Sequence, residues 1–147
     1  MYRHLLVPVD DSELSDRAMS DSVALARRLH ARITGFVAEP ATPAAGTGYG
    51  AVAYTRAMKA HDARTAEHAR AVLGRFEQRA KDAGVPFEGV YGRGDEVDVA
   101  ILEAAREKSC DLIVMCSHGR STLGDLLFGS HTRDVLARSE LPLLVLH

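Results

Sequence analysis

Long apolar runs, cysteines and a surplus of charge of either sign are all scarce in this sequence of 147 residues. The longest apolar runs, Leu5 to Val9 and Leu141 to Leu146, fall far short of the roughly 20 residues a membrane helix needs, so no bilayer span and no membrane partner is expected. Met1-Tyr2-Arg3-His4 superficially resembles the basic start of a signal peptide. The run behind it, however, stops at Asp10-Asp11 with no small-residue cleavage site, and a cytoplasmic protein is expected. The two cysteines, Cys110 and Cys116, bracket a strand-like stretch that would hold them about 20 Å apart, well beyond the reach of a disulfide. Neither belongs to a Cys-x-x-Cys pair, so no metal or dithiol chemistry is implied. Eighteen Lys and Arg stand against 20 Asp and Glu, interspersed along the chain, for a net charge of −2. Such a balance offers no bulk attraction to phosphate polymers, which argues against a nucleic-acid partner.

What is present is the composition of one globular domain. At 46% hydrophobic and 26% charged, a chain of this length buries about 70% of its unfolded surface and needs no metal or disulfide to fold. We therefore expect a single domain over residues 1–147.

Five short apolar runs read as buried parallel strands: residues 4–9, 32–37, 87–91, 112–115 and 143–146. Helical patterns lie between them. After Ser12, an N-cap residue, Ala18, Ser22, Leu25 and Leu29 recur at helical spacing, with Met19, Val23 and Ala26 widening the stripe. Ala69, Val72, Leu73, Phe76 and Ala80 form a second stripe, stopped by Gly84 and Pro86. Asp95 is expected to cap a third helix burying Val97, Ile101, Ala104 and Ala105, and a fourth helix spans 130–138 with Val135 and Leu136 inward. Strands alternating with helices in this way imply an α/β fold, one parallel sheet with helices on both faces. The Gly, Ala and Pro content of Pro40 to Gly50 reads as a flexible loop, at about 40–55, either a lid over a ligand or plain disorder.

In such a sheet, ligands bind beyond the carboxyl ends of the strands. Two segments therefore matter: Pro8-Val9-Asp10-Asp11-Ser12, and the stretch from Cys116 to Thr132. The second carries three glycines and ends in Gly129-Ser130 directly before a helix. Glycine admits close backbone approach, the first helical turn presents free N–H groups, and a serine hydroxyl adds a donor, so the segment suits a di- or triphosphate. An ordinary helix cap has the same residues, and both readings stand at this point.

The start Leu5-Leu6-Val7-Pro8-Val9-Asp10-Asp11-Ser12, the strand Asp111 to Cys116 with Ser117-His118-Gly119-Arg120-Ser121, the turn Leu126-Leu127-Phe128-Gly129-Ser130 and the terminal Leu141 to Leu146 together resemble the universal stress protein family. The resemblance covers essentially the whole chain. It implies an open five-stranded parallel sheet, Rossmann-like (adenine nucleotide alpha hydrolase-like), of order 3-2-1-4-5, and a homodimer. If the apolar C-terminal strand 142–147 is the sheet's edge, pairing with the same strand of a second subunit about a two-fold axis closes it, and the homodimer contact is expected there. One branch of that family binds ATP through Gly-x-x-Gly-x9-Gly-Ser/Thr. Gly119, nine intervening residues, Gly129 and Ser130 match its second half, while Cys116 stands where the first glycine is expected. By this likeness Asp10 meets the ribose or adenine, the Val37 backbone meets the adenine, and Met115 lies near sugar and base. Gly119, Gly129, Ser130 and the backbone of His131 and Thr132 hold phosphates. Pro8, Val9, Cys116, His118 and Arg120 complete the implied cofactor-binding set, with ATP as the cofactor, with or without Mg²⁺. If the glycine serves only for room, a thiol is tolerated with a local shift. If it needs positive φ, the exchange costs about 1 kcal/mol.

Other constellations read more plainly. Asp10 and Asp11 leave the strand in different directions, which disfavours a catalytic pair and favours one of them as a helix cap. Ser117 and His118 lack a Gly-x-Ser-x-Gly elbow, so His118 also suits a loop-stabilising hydrogen bond. His61 and His68, seven residues apart, read as a solvated helix face rather than metal ligands. Arg120 either reaches a phosphate or is a surface arginine, and Gly92-Arg93-Gly94-Asp95 reads as a turn. No Gly-x-x-x-x-Gly-Lys-Ser/Thr lysine is present, so a nucleotide-binding regulator is expected in preference to an enzyme. A slow ATPase and an interaction module that binds no nucleotide are the alternatives.

Overall fold

The computed structural model describes residues 1–42, 50–116 and 130–147. Along the chain run β1 (His4–Pro8), α1 (Glu13–Leu29), β2 (Arg32–Glu39), α2 (Ala51–Asp82), β3 (Phe87–Arg93), α3 (Val97–Glu107), β4 (Leu112–Cys116), α4 (Ser130–Arg138) and β5 (Leu143–Leu146). The strands form one parallel sheet of order β3-β2-β1-β4-β5, as the sequence implied.

Successive side chains of a strand point to opposite faces, and the core divides accordingly. Leu5, Val7, Ile33, Val37, Leu112 and Val114 pack under α1 and α2 with Met19, Val72 and Phe76. Leu6, Phe36, Ile113 and Met115 pack on the other face against Ile101, Ala105 and Val135. At the amino end of the sheet the Asp111 carboxylate accepts from the N–H groups of Arg3 (2.8 Å) and His4 (2.9 Å), tying the start of β4 to the start of β1.

Ser12 caps α1 by accepting from the Ser15 N–H, and the stripe read from the sequence faces inward, with Ser15, Ala18, Met19, Ser22, Val23 and Ala26 buried. Elsewhere the structure corrects the reading. Helix α2 begins at Ala51, so residues 51–55 are helical rather than part of a loop; of the expected loop, 43–49 lie outside the described residues. Asp95 does not cap α3. Glu96 holds the cap position without a side-chain bond, and the Asp95 carboxylate accepts from Ala41 N–H at 3.3 Å. Leu136 is 54% exposed because its neighbour Val135 takes the inward direction, and adjacent helical residues diverge by about 100°. β3 is an edge strand with Glu88, Gly89, Tyr91 and Arg93 exposed rather than buried. It extends to Arg93, so Gly92 and Arg93 are strand residues and not turn.

Candidate functional site

A cleft of about 510 Å³ opens beyond the carboxyl ends of the central strands. Its walls come from every layer of the fold: Pro8 ending β1 and Val9 after it, Phe36 and Ala38 of β2, Met115 and Cys116 closing β4, Leu14, Ser15 and Ala18 of α1, Val97 and Ile101 of α3, and Ser130, His131 and Thr132 opening α4. Apolar side chains supply one part of the lining and the first turn of α4 another. The free N–H groups and partial positive charge of such a turn attract anions.

The rim at Asp10 is held by short bonds. Asp10 Oδ1 accepts from Ser12 N–H (2.9 Å) and from Ser15 Oγ (2.6 Å), and Ser15 Oγ in turn accepts from the Asp10 N–H at 2.8 Å. Asp10 thus organises the entry to α1, while the cap itself is Ser12. The Val9 N–H donates to the Phe36 carbonyl at 2.8 Å, extending the β1–β2 pairing into the rim.

Cys116 is partly buried at the end of β4 and lines the cleft. Burial, with help from the charge of Asp21, pushes its thiol up from the ordinary cysteine value. Among the described residues, positive φ outside glycine falls on His30 and Ser109, so Cys116 carries no left-handed strain.

Of the residues implicated by sequence, Pro8, Val9, Asp10, Met115, Cys116, Ser130, His131 and Thr132 converge on the cleft. Val37 is not among its lining residues; its side chain packs on the α1–α2 face, and its neighbours Phe36 and Ala38 form the wall instead. His118, Gly119, Arg120 and Gly129 lie outside the described residues. Sequence reasoning passed over Phe36, Ala38, Val97 and Ile101, whose signal is their place at the carboxyl end of β2 and in the first two turns of α3.

His61 and His68 are not a solvated face. His61 is buried, its Nε2 donating to the Pro40 carbonyl at 2.9 Å. His68 Nδ1 pairs with Glu39 Oε1, and its Nε2 lies 3.5 Å from Asp11 Oδ2. Among the described residues no group of three or more His, Cys, Asp or Glu is arranged to hold a metal ion, and no helix is long and apolar enough to cross a membrane.

Comparison with known proteins agrees with this architecture. The chain is 33% identical over 149 residues to a Thermus aquaticus protein named universal stress protein in QAH/OAS sulfhydrylase 3' region, covering 99% of this chain and 98% of that one. It is 26% identical over 147 residues to the universal stress protein YxiE of Bacillus subtilis, covering 99% of each. A crystal structure of a universal stress protein in complex with cAMP superposes with a TM-score of 0.71 at 28% identity, over 99% of this chain and 97% of that one. The model of the universal stress protein family matches residues 1–147, and the chain belongs to that family.

Proposed function

We propose that the cleft binds an adenine nucleotide, ATP in the first instance, and that the protein acts as a nucleotide-responsive regulator in the cytoplasm. The observation that carries this reading is the convergence of the first turn of α4 with Asp10 and an apolar wall on one cleft. A volume of about 510 Å³ lies within the range of roughly 300–1,000 Å³ typical of small-molecule sites. The donor set suits the ligand. Ser130 and the N–H groups of the first α4 turn match phosphate oxygens, the Asp10 carboxylate matches a sugar hydroxyl, and Phe36, Ala38, Val97 and Ile101 suit a base. The complex with cAMP in a related fold supports the same class of ligand. Gly119, Arg120, Gly129 and His118 are assigned to the phosphate side from the family motif, and Mg²⁺ is assigned as a counter-ion of the triphosphate.

Binding rather than turnover is proposed, because Gly129-Ser130 is followed by His131 and no phosphate-binding lysine stands there. We also assign the homodimer contact to strand 142–147. β5 is the edge strand opposite β3, its side chains are half-buried in the single chain, and a two-fold pairing would close that edge.

Titration with ATP and Mg²⁺, followed calorimetrically, is expected to saturate, and protein purified without added ligand is expected to release adenine nucleotide on denaturation. No saturable binding at millimolar nucleotide would remove this reading. It would favour an interaction module whose cleft is obstructed by the Cys116 side chain, which lines it.

A further inference from the structure

Just behind the rim of the cleft, two carboxylates from different elements converge on one imidazole. Glu39, buried at the last position of β2, meets Nδ1 of His68, and Asp11, in the turn between β1 and α1, faces its Nε2. Both acids are sequence neighbours of cleft residues. Asp11 stands between Asp10 and Ser12, and Glu39 follows Ala38. His61, two turns earlier on α2, holds the next residue, Pro40, through its carbonyl. Helix α2, which contributes no lining residue, therefore grips the rim from outside.

A neutral imidazole donates one N–H and satisfies one of these carboxylates; an imidazolium donates two and satisfies both. With the ring neutral, Asp11 is left facing the acceptor nitrogen, and two negative charges share one corner of the rim. We propose that His68, protonated at both nitrogens, is a positioning residue for the cleft. By bridging Asp11 to Glu39 it holds the β1–α1 turn at the spacing that presents Asp10, and loss of its second proton loosens that turn and weakens nucleotide binding.

The inference rests on the nucleotide-binding reading of the cleft. The surroundings favour the charged ring. The hydrogen bond to Glu39 is the largest influence raising its pKa, burial opposes it, and the charges of Glu39 and Asp11 add to the rise. Glu39 faces the ring from β2 and Asp11 from the β1–α1 turn; Arg64, one turn earlier on α2, is exposed.

The decisive experiment combines an NMR titration of the His68 ring and of the Asp10–Ser12 amides with ATP affinity measured across the same pH interval, for the wild type, His68→Gln and Asp11→Asn. The titration of ATP itself is common to all three proteins and cancels in the ratio of their affinities. The ring is expected to titrate above its ordinary value, with the Asp10–Ser12 amides moving in step. The advantage of the wild type over His68→Gln is expected to fall by about fivefold or more as the ring deprotonates. Asp11→Asn neutralises an exposed carboxylate at nearly unchanged size, leaves the fold intact and is expected to shift both the ring titration and the affinity profile toward acid. A ring titrating at its ordinary value, or a ratio of affinities constant with pH while ATP still binds, overturns the role of His68 alone. Absence of ATP binding by the wild type at every pH overturns the nucleotide reading and this inference with it.

Discussion

The two thiols of this chain sit in different surroundings, and their reactivities should separate. Cys110 is buried on the α3 face, and desolvation pushes its thiol up to about 11. The Cys116 thiol is also pushed up, again by burial, and opens onto the cleft. The thiolate is the nucleophile, so both should be sluggish near neutral pH and only one should be accessible. Iodoacetamide at neutral pH, read by mass spectrometry, is expected to label Cys116 slowly, still more slowly with ATP present, and to label Cys110 only on unfolding. Faster native labelling of Cys110 than of Cys116 would contradict the burial described here. Residues lining the cleft were legible where their place follows from position along one segment. Pro8, Asp10, Met115 and Ser130 all flank strand ends or open a helix, where this fold class binds ligands. His68 and Glu39 were not legible, because their contact joins residues 29 apart in sequence and depends on how α2 lies across the end of β2. A histidine with exposed sequence neighbours reads as solvated until that packing is known.

At the scale of elements, legibility followed the strength of the apolar stripe. Helix α1 announced itself by a cap and a continuous stripe, whereas the first ten residues of α2 bury nothing. Val52 is 76% and Tyr54 52% exposed, so the periodicity that marks a helix is missing there although the backbone is helical. From His61 onward the stripe is regular, and it presses α2 onto β2 and β3. Gly35 sets how close that approach is. A Cβ at this position would lie 2.7 Å from the Phe87 ring and 2.9 Å from Phe76. These two rings pack against each other with centroids 4.9 Å apart, and Phe76 is fully buried. The pair cannot yield without displacing α2 or β3. Gly35→Ala is therefore expected to destabilise the protein by about 1–3 kcal/mol, the usual range for overpacking a filled core. Urea unfolding monitored by circular dichroism measures it, and a change below about 0.5 kcal/mol would show that the rings move freely.

For the molecule as a whole, two histidines at opposite ends of the sheet make stability depend on pH in opposite senses. His4 is buried at the amino end, its Nε2 paired with Thr34 Oγ1 at 2.8 Å. Burial first and the charge of Arg32 second lower its pKa below the ordinary 6.5. Between its folded and unfolded values the unfolded chain holds more protons, so its contribution is complete above 6.5 and is lost as pH falls below it. His68, near the carboxyl end, is raised above 6.5 by Glu39. Its contribution is complete below 6.5 and is lost as pH rises through the folded value. Together the two place their joint optimum near 6.5, with the alkaline arm shallower because the His68 side chain is 41% exposed and screened by water. Urea unfolding across this interval is expected to show a dome. His4→Gln, which retains a partner for Thr34, should flatten its acid side, and His68→Gln its alkaline side. Because the two sites are separated by the length of the sheet and share no partner, the double variant should show the sum of both changes. A wild-type profile that rises steadily through the interval, or an acid arm that survives His4→Gln, would place the titrating groups elsewhere in the fold.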